Sequence, residues 1–161
     1  MTKTLSTPLT KRTKDKIRVL VVDDSALARK ILSDGLARNP DIEVIGTARD
    51  PYAARDILVR ERPDVITLDV EMPRMDGVTF LKKYMPIIPT PTIMVSALTE
   101  RGKRITIEAL EAGAVDVVLK PKIGVVDNLP TMMGDLAERV KAAARVDVRR
   151  YVRFHSRAEK R

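Results

Sequence analysis

The feature that most constrains this chain is a rhythm. From Ile17 onward, short runs of β-branched and aliphatic residues alternate with longer stretches whose apolar positions recur at helical spacing. That alternation is the mark of βα units feeding a parallel sheet, in which strands buried on both faces read as continuous apolar runs. Strands are predicted at Ile17 to Asp23, Ile42 to Ala48, Val65 to Asp69, Thr92 to Ser96 and Val115 to Leu119. Between the first two, Ala28, Ile31, Leu32, Gly35 and Leu36 share one helical face. Asp50-Pro51 reads as an N-cap followed by proline at the first helical position. Gly113 follows the stretch Ile105 to Ala112, where a helix ending in a left-handed residue favours glycine. A last helix is expected over about Thr131 to Arg145, completing a (βα)5 doubly wound α/β fold.

With 161 residues the chain supports one domain with tails. Aromatic residues are only 3%, so the core must be aliphatic. The net charge of +8 invites a nucleic-acid reading, but its distribution argues against one. Residues 1–16 carry five Lys/Arg against one Asp, and residues 141–161 carry eight against two, or +4 and +6. Residues 17–140 therefore carry −2, and the basic ends read as tails, 1–16 before the domain and 146–161 after it, the latter a tail or the start of an interdomain linker. No apolar run approaches the roughly 20 residues of a membrane span, and the Thr/Lys-rich start lacks the apolar stretch of a secretion signal. Membrane insertion is not expected. The absence of cysteine fits a reducing cytoplasm and excludes thiolate metal sites. The single His155 lies in the basic tail and is read as neither ligand nor catalyst.

In an open parallel α/β sheet, ligands gather outside the carboxyl ends of the strands. The residues there are Asp23-Asp24, Asp69, Ser96-Ala97 and Lys120-Pro121. In the flavodoxin-like order 2-1-3-4-5, strands one and three are neighbours about 4.8 Å apart, so Asp24 and Asp69 face each other. Two carboxylates at about 4 Å repel by roughly 4 kcal/mol at an effective dielectric near 20, and a third makes matters worse. A compensating cation is required. Oxygen donors without His or Cys select a hard ion, and a small cluster with room for water and a phosphate oxygen favours Mg2+.

These residues resemble those of the response-regulator receiver family over about residues 17–145. Asp23 and Asp24 are similar to its acidic pair, Asp69 with Met72-Pro73 and Met75-Asp76-Gly77 to its phosphoacceptor strand and loop, Ser96-Ala97 to its switch hydroxyl and small neighbour, and Lys120-Pro121 to its lysine and cis proline. The resemblance implies that Asp69 takes a phosphoryl group from a histidine kinase or small donor. It also implies that Asp23, Asp24, Asp69 and the backbone carbonyl of Glu71 hold Mg2+, with Asp23 acting mainly through water, and that Lys120 neutralises charge. Ser96 and Ala97 would then carry a switch. Within the family the strings VVDDSALARKIL, TLDVEMPRMDG, VSALTERG and LKPKIG are most similar to the regulatory domain of chemotaxis protein-glutamate methylesterases. That likeness implies a chemotaxis histidine kinase as donor, a methylesterase output domain in cis, and chemoreceptors as partners of the full-length protein.

Whether the chain is itself an enzyme stays open at this stage. No Gly-x-Ser-x-Gly elbow is present, so only its own phosphorylation and dephosphorylation are expected of it. A free-standing phospho-adaptor and a receiver serving a DNA-binding output are the alternatives, the latter disfavoured because residues 146–161 are too few for a helix-turn-helix. One departure stands out. Three positions before Lys120, where receivers carry Tyr or Phe, stands Val117, so an aromatic rotation cannot form part of the switch.

Overall fold

The computed structural model describes residues 15–97, 100–120 and 129–149. Five strands, β1 (Ile17–Val22), β2 (Ile42–Ala48), β3 (Val65–Asp69), β4 (Thr92–Ser96) and β5 (Asp116–Leu119), alternate with five helices. The helices are α1 (Ala26–Ala37), α2 (Pro51–Glu61), α3 (Gly77–Tyr84), α4 (Glu100–Glu111) and α5 (Leu129–Ala143). All pairings are parallel, in the order β2-β1-β3-β4-β5. The expected (βα)5 sheet and its order are what the chain forms.

Local chemistry sets most boundaries. Asp50 caps α2, its carboxylate accepting from the Ala53 N–H at 2.8 Å, and Pro51 follows at the position where a missing N–H costs nothing. After α4, Gly113 takes φ 113° while the Ala114 N–H returns to the Ala109 carbonyl at 3.0 Å. Only glycine adopts that backbone without penalty, so the helix stops there. Two strand edges differ from expectation by a residue, and the last helix, Leu129–Ala143, starts and ends two residues earlier than the expected Thr131 to Arg145. β1 ends at Val22, the Asp23 carbonyl being taken by Arg29 Nη1 at 2.7 Å, and β5 begins at Asp116, just after the Val115 N–H donates to the Thr92 carbonyl at 2.9 Å.

Strand parity divides the core into two layers. Val19, Val21, Val65 and Ile93 pack with Leu32 and Leu36 of α1 and Leu136 and Val140 of α5. Leu20, Val22, Ile66, Leu68 and Met94 face the other way, with Leu58 of α2, Phe80 and Leu81 of α3 and Ala109 of α4. Each fully buried aliphatic side chain contributes about 1.5–3 kcal/mol, so the two layers together hold the sheet rigid and its carboxyl edge in place. The consequence for function is geometric: residues that come after the strands are presented from a fixed frame.

Candidate acidic site at the carboxyl edge of the sheet

Side chains at 19, 21 and 23 of the first strand, and at 65, 67 and 69 of the third, lie on the same face, and β1–β3 pairing aligns Val21 with Thr67. One step further along both strands stand Asp23 and Asp69. Asp23 is wholly buried and Asp69 nearly so, whereas Asp24 is exposed. The three carboxylates offer oxygens that all lie within 4.8 Å of one another. Into this group reaches Lys120 from the end of β5, its Nζ 3.1 Å from Asp23 Oδ1 and 3.3 Å from Asp69 Oδ2. The backbone holds Lys120 there, since its N–H donates to the Ser96 carbonyl at 2.8 Å.

The turn into α1 fixes Asp23. The Ser25 N–H donates to Asp23 Oδ1 at 2.9 Å, while Ser25 Oγ caps the helix by accepting from the Ala28 N–H at 3.2 Å. Asp23 Oδ2 and Thr67 Oγ1 are the two buried side-chain oxygens without a hydrogen-bond partner among the described residues. An orphaned buried carboxylate oxygen is costly, and a cation or its bound water is the natural partner.

The loop after β3 is held equally tightly. The Glu71 N–H donates to Asp69 Oδ1 at 3.3 Å, and the Gly77 N–H to the Val70 carbonyl at 2.8 Å. A Cβ on Gly77 would stand 2.2 Å from the Asp69 carbonyl oxygen. Only glycine lets the start of α3 approach the acceptor strand this closely. Gly77→Ala is expected to cost about 3 kcal/mol, measurable by urea denaturation, because a backbone oxygen cannot move aside as a side chain could. Asp76 caps α3, accepting from the Thr79 N–H at 2.8 Å. Between them the chain makes a tight turn at Arg74, which takes φ 72° as the Met75 N–H bonds the Pro73 carbonyl at 2.8 Å.

The electrostatics reflect this crowding. Burial first, and then the Asp23 charge, push the Asp69 carboxyl up to about 7, while Lys120 pulls the other way without winning. Lys120 is moved above its ordinary value by the two carboxylates despite a burial penalty. A single ammonium therefore undercompensates the cluster, and the donor set of oxygens alone suits a hard divalent cation.

A cleft of about 430 Å³ opens on this edge, lined among others by Asp24, Asp69, Glu71, Ala97 and Lys120. Of the residues expected from the sequence at the strand ends, Asp24, Asp69, Ala97 and Lys120 line the cleft, Asp23 meets it through Lys120, and Pro121 lies outside the described residues. Ser96 is buried, and its hydroxyl donates to the Ala97 carbonyl at 3.0 Å. Val117 sits half-buried on β5, paired with Met94 and packed on the α4 side of the sheet, not in the cleft. Two contributors went unnoticed in the sequence. Ile105 of α4 walls the cleft, and Arg29 fastens the Asp23 carbonyl. The second was detectable, since a helix capped by Ser25 places Arg29 one turn above the acidic pair.

The sequence model of the response regulator receiver domain matches residues 19–143. This chain belongs to the receiver family. Receivers as a class are phosphorylated on an aspartate and bind Mg2+ at an acidic Asp cluster, and this receiver possesses such a cluster. It is 59% identical over 133 residues to a protein-glutamate methylesterase/protein-glutamine glutaminase of Syntrophotalea carbinolica, covering 83% of this chain and 38% of that protein. The receiver thus spans well under half the length of that relative. Among solved structures it is similar to the response regulator domain of Thermotoga maritima CheB, with a TM-score of 0.73 and 45% identity, covering 82% of this chain and 98% of that one. It is also similar to the complex of the P1 domain of CheA3 with CheY6 from R. sphaeroides, with a TM-score of 0.68 and 30% identity, covering 82% and 99%. This receiver is therefore of the CheB chemotaxis type, and no helix among its described residues is long and apolar enough to cross a membrane.

Proposed function

We propose that Asp69 is the phosphoacceptor of a chemotaxis signalling receiver, charged by a histidine kinase and controlling a methylesterase output domain in cis. The observation that carries the reading is the convergence of Asp23, Asp24, Asp69 and Lys120, drawn from three strand ends, with one carboxylate oxygen left unpartnered. Chemoreceptors as partners of the longer protein, and a cytoplasmic site of action, belong to the same proposal.

Asp24, Asp69 and the Glu71 carbonyl would hold Mg2+ directly and Asp23 through water. The bound ion supplies positive charge that offsets the carboxylates and the incoming phosphoryl oxygens. Asp69, ionised once that charge is present, attacks phosphorus with a carboxylate oxygen. The P–N bond to the donor imidazole breaks, its electron pair remaining on the ring nitrogen, which takes up a proton. Lys120, already tied to Asp69, follows the negative charge onto the phosphoryl oxygens. The Ser96 hydroxyl exchanges the Ala97 carbonyl for a phosphate oxygen, drawing the loop after β4 inward. Water later cleaves the acyl phosphate and restores Asp69.

Mass spectrometry after incubation with acetyl phosphate and Mg2+ tests the assignment: one phosphoryl adduct is expected, absent without Mg2+ or in Asp24→Ala, and a labelled peptide lacking Asp69 contradicts it. For the switch, Ser96→Ala is expected to keep labelling while losing most of the amide shift changes at residues 96–101. Val117→Phe should leave the labelling rate nearly unchanged and alter partner binding, because the side chain packs away from the cleft. Survival of those shifts in Ser96→Ala would transfer the coupling role to another group.

A further inference from the structure

α5 packs its buried residues, Met133, Leu136, Ala137, Val140 and Ala143, on one layer of the core. Five residues after Ala143, however, Val148 is only 5% exposed and belongs to the opposite layer, the buried cluster that also holds Leu20, Leu58, Leu81, Met94 and Ala109. Like every helix in this parallel fold, α5 runs against the strands, so Ala143 lies at the edge of the sheet away from the acidic cleft. To leave one layer and enter the other within five residues, a reach of roughly 17 Å, the chain must pass beneath that edge. The crossing is shaped, not loose. The N–H groups of Ala144, Arg145 and Val146 donate to the carbonyls of Val140, Ala142 and Ala143 at 3.0–3.1 Å. The Asp147 carboxylate accepts from the Arg149 N–H at 3.0 Å and from its guanidinium at 3.2 Å.

We infer that residues 144–149 form a strap belonging to the folded receiver, anchored by Val148, through which repacking of the α3–α4 side of the core reaches the chain beyond Arg149. The matched family region stops at residue 143, short of this anchor. The coupling has a packing basis. Val148 shares its cluster with Ala109 of α4 and Met94 of β4, the elements that flank the Ser96 loop. A shift of α4 changes the volume of that cluster, and a close-packed core transmits such a change to every member. The strap therefore ends in the layer shared by α2, α3 and α4, not on the face of α5. The coupling half of the inference rests on the phosphoacceptor reading of Asp69; the anchoring half does not.

Two measurements on the full chain decide it. Val148→Ala is expected to lower the thermal midpoint by about 5 °C, whereas Val146→Ala, at a position 45% exposed, should change it by about 1 °C or less. Equal midpoints for wild type and Val148→Ala overturn the anchor. Hydrogen exchange with and without beryllium fluoride and Mg2+ tests the coupling. Exchange at 144–149 should be about tenfold or more slower than in a free peptide, and should change about twofold or more on adding the fluoride. Val148→Ala should lose that response while amide changes near Asp69 and Ser96 persist. Responses near Asp69 with none at 144–149 in wild type overturn the coupling alone. No response near Asp69 overturns the phosphoacceptor reading and the coupling with it, while the anchor is still judged by the midpoints.

Discussion

Asp69→Asn is expected to abolish phosphoryl labelling and, at the same time, to make the Mg2+-free chain more stable at alkaline pH. The first effect arises because the amide offers no nucleophilic oxygen for acyl phosphate formation. The second arises from the raised carboxyl. Unfolded, Asp69 loses its proton near its ordinary value of 3.8; folded, it keeps it up to about 7. Between those values the native state binds the extra proton, so stability falls as pH rises and the loss is complete above the folded value. The penalty amounts to a few kcal/mol by this linkage. Asparagine has nothing to ionise. Its advantage over wild type should be near zero at pH 4, grow through the interval to pH 7 and stay level at pH 8. Mg2+ should erase most of the difference by giving the wild-type carboxylate its missing cation. Urea denaturation at several pH values, with and without Mg2+, measures this. A wild-type stability that rises across the same interval would contradict it.

Lys120→Met should produce the second large effect, of opposite sign. The side chain loses an ammonium that sits 3.1 Å from one buried carboxylate and 3.3 Å from another. Removing one partner of a buried ionic group costs about 3–5 kcal/mol, because the charge left behind stays desolvated. Here proton uptake by Asp69 relieves one of the two carboxylates at low pH, so the destabilisation should be smaller at pH 5 than at pH 8. Labelling by a small donor should fall by about 100-fold or more, the scale on which an oriented charge at the transferred group acts. Raising Mg2+ should recover stability better than rate, since the ion can neutralise Asp23 and Asp69 but cannot occupy the lysine's place at the end of β5.

How much of this was legible in the chain itself can be judged residue by residue. Apolar period and turn chemistry were enough for the strands, for Asp50-Pro51 at the start of α2 and for Gly113 at the end of α4, because these signals act within a few residues. The placement of Asp23, Asp24, Asp69, Ser96 and Lys120 at strand ends came from the same local patterns, together with the rule that parallel sheets present their carboxyl edges to ligands. Tertiary structure decided everything that depends on distance across the sheet. That Lys120 bonds both Asp23 and Asp69, and that Asp69 is buried deeply enough to hold its proton near neutrality, are consequences of packing between residues about 50 and 100 positions apart. So are the need for Gly77, set by the Asp69 carbonyl, and the burial of Val148, which composition alone assigns to a basic tail. Pattern is a local property and a strand can be read from it; desolvation, close approach and layer membership are not, because each is created only when distant segments meet.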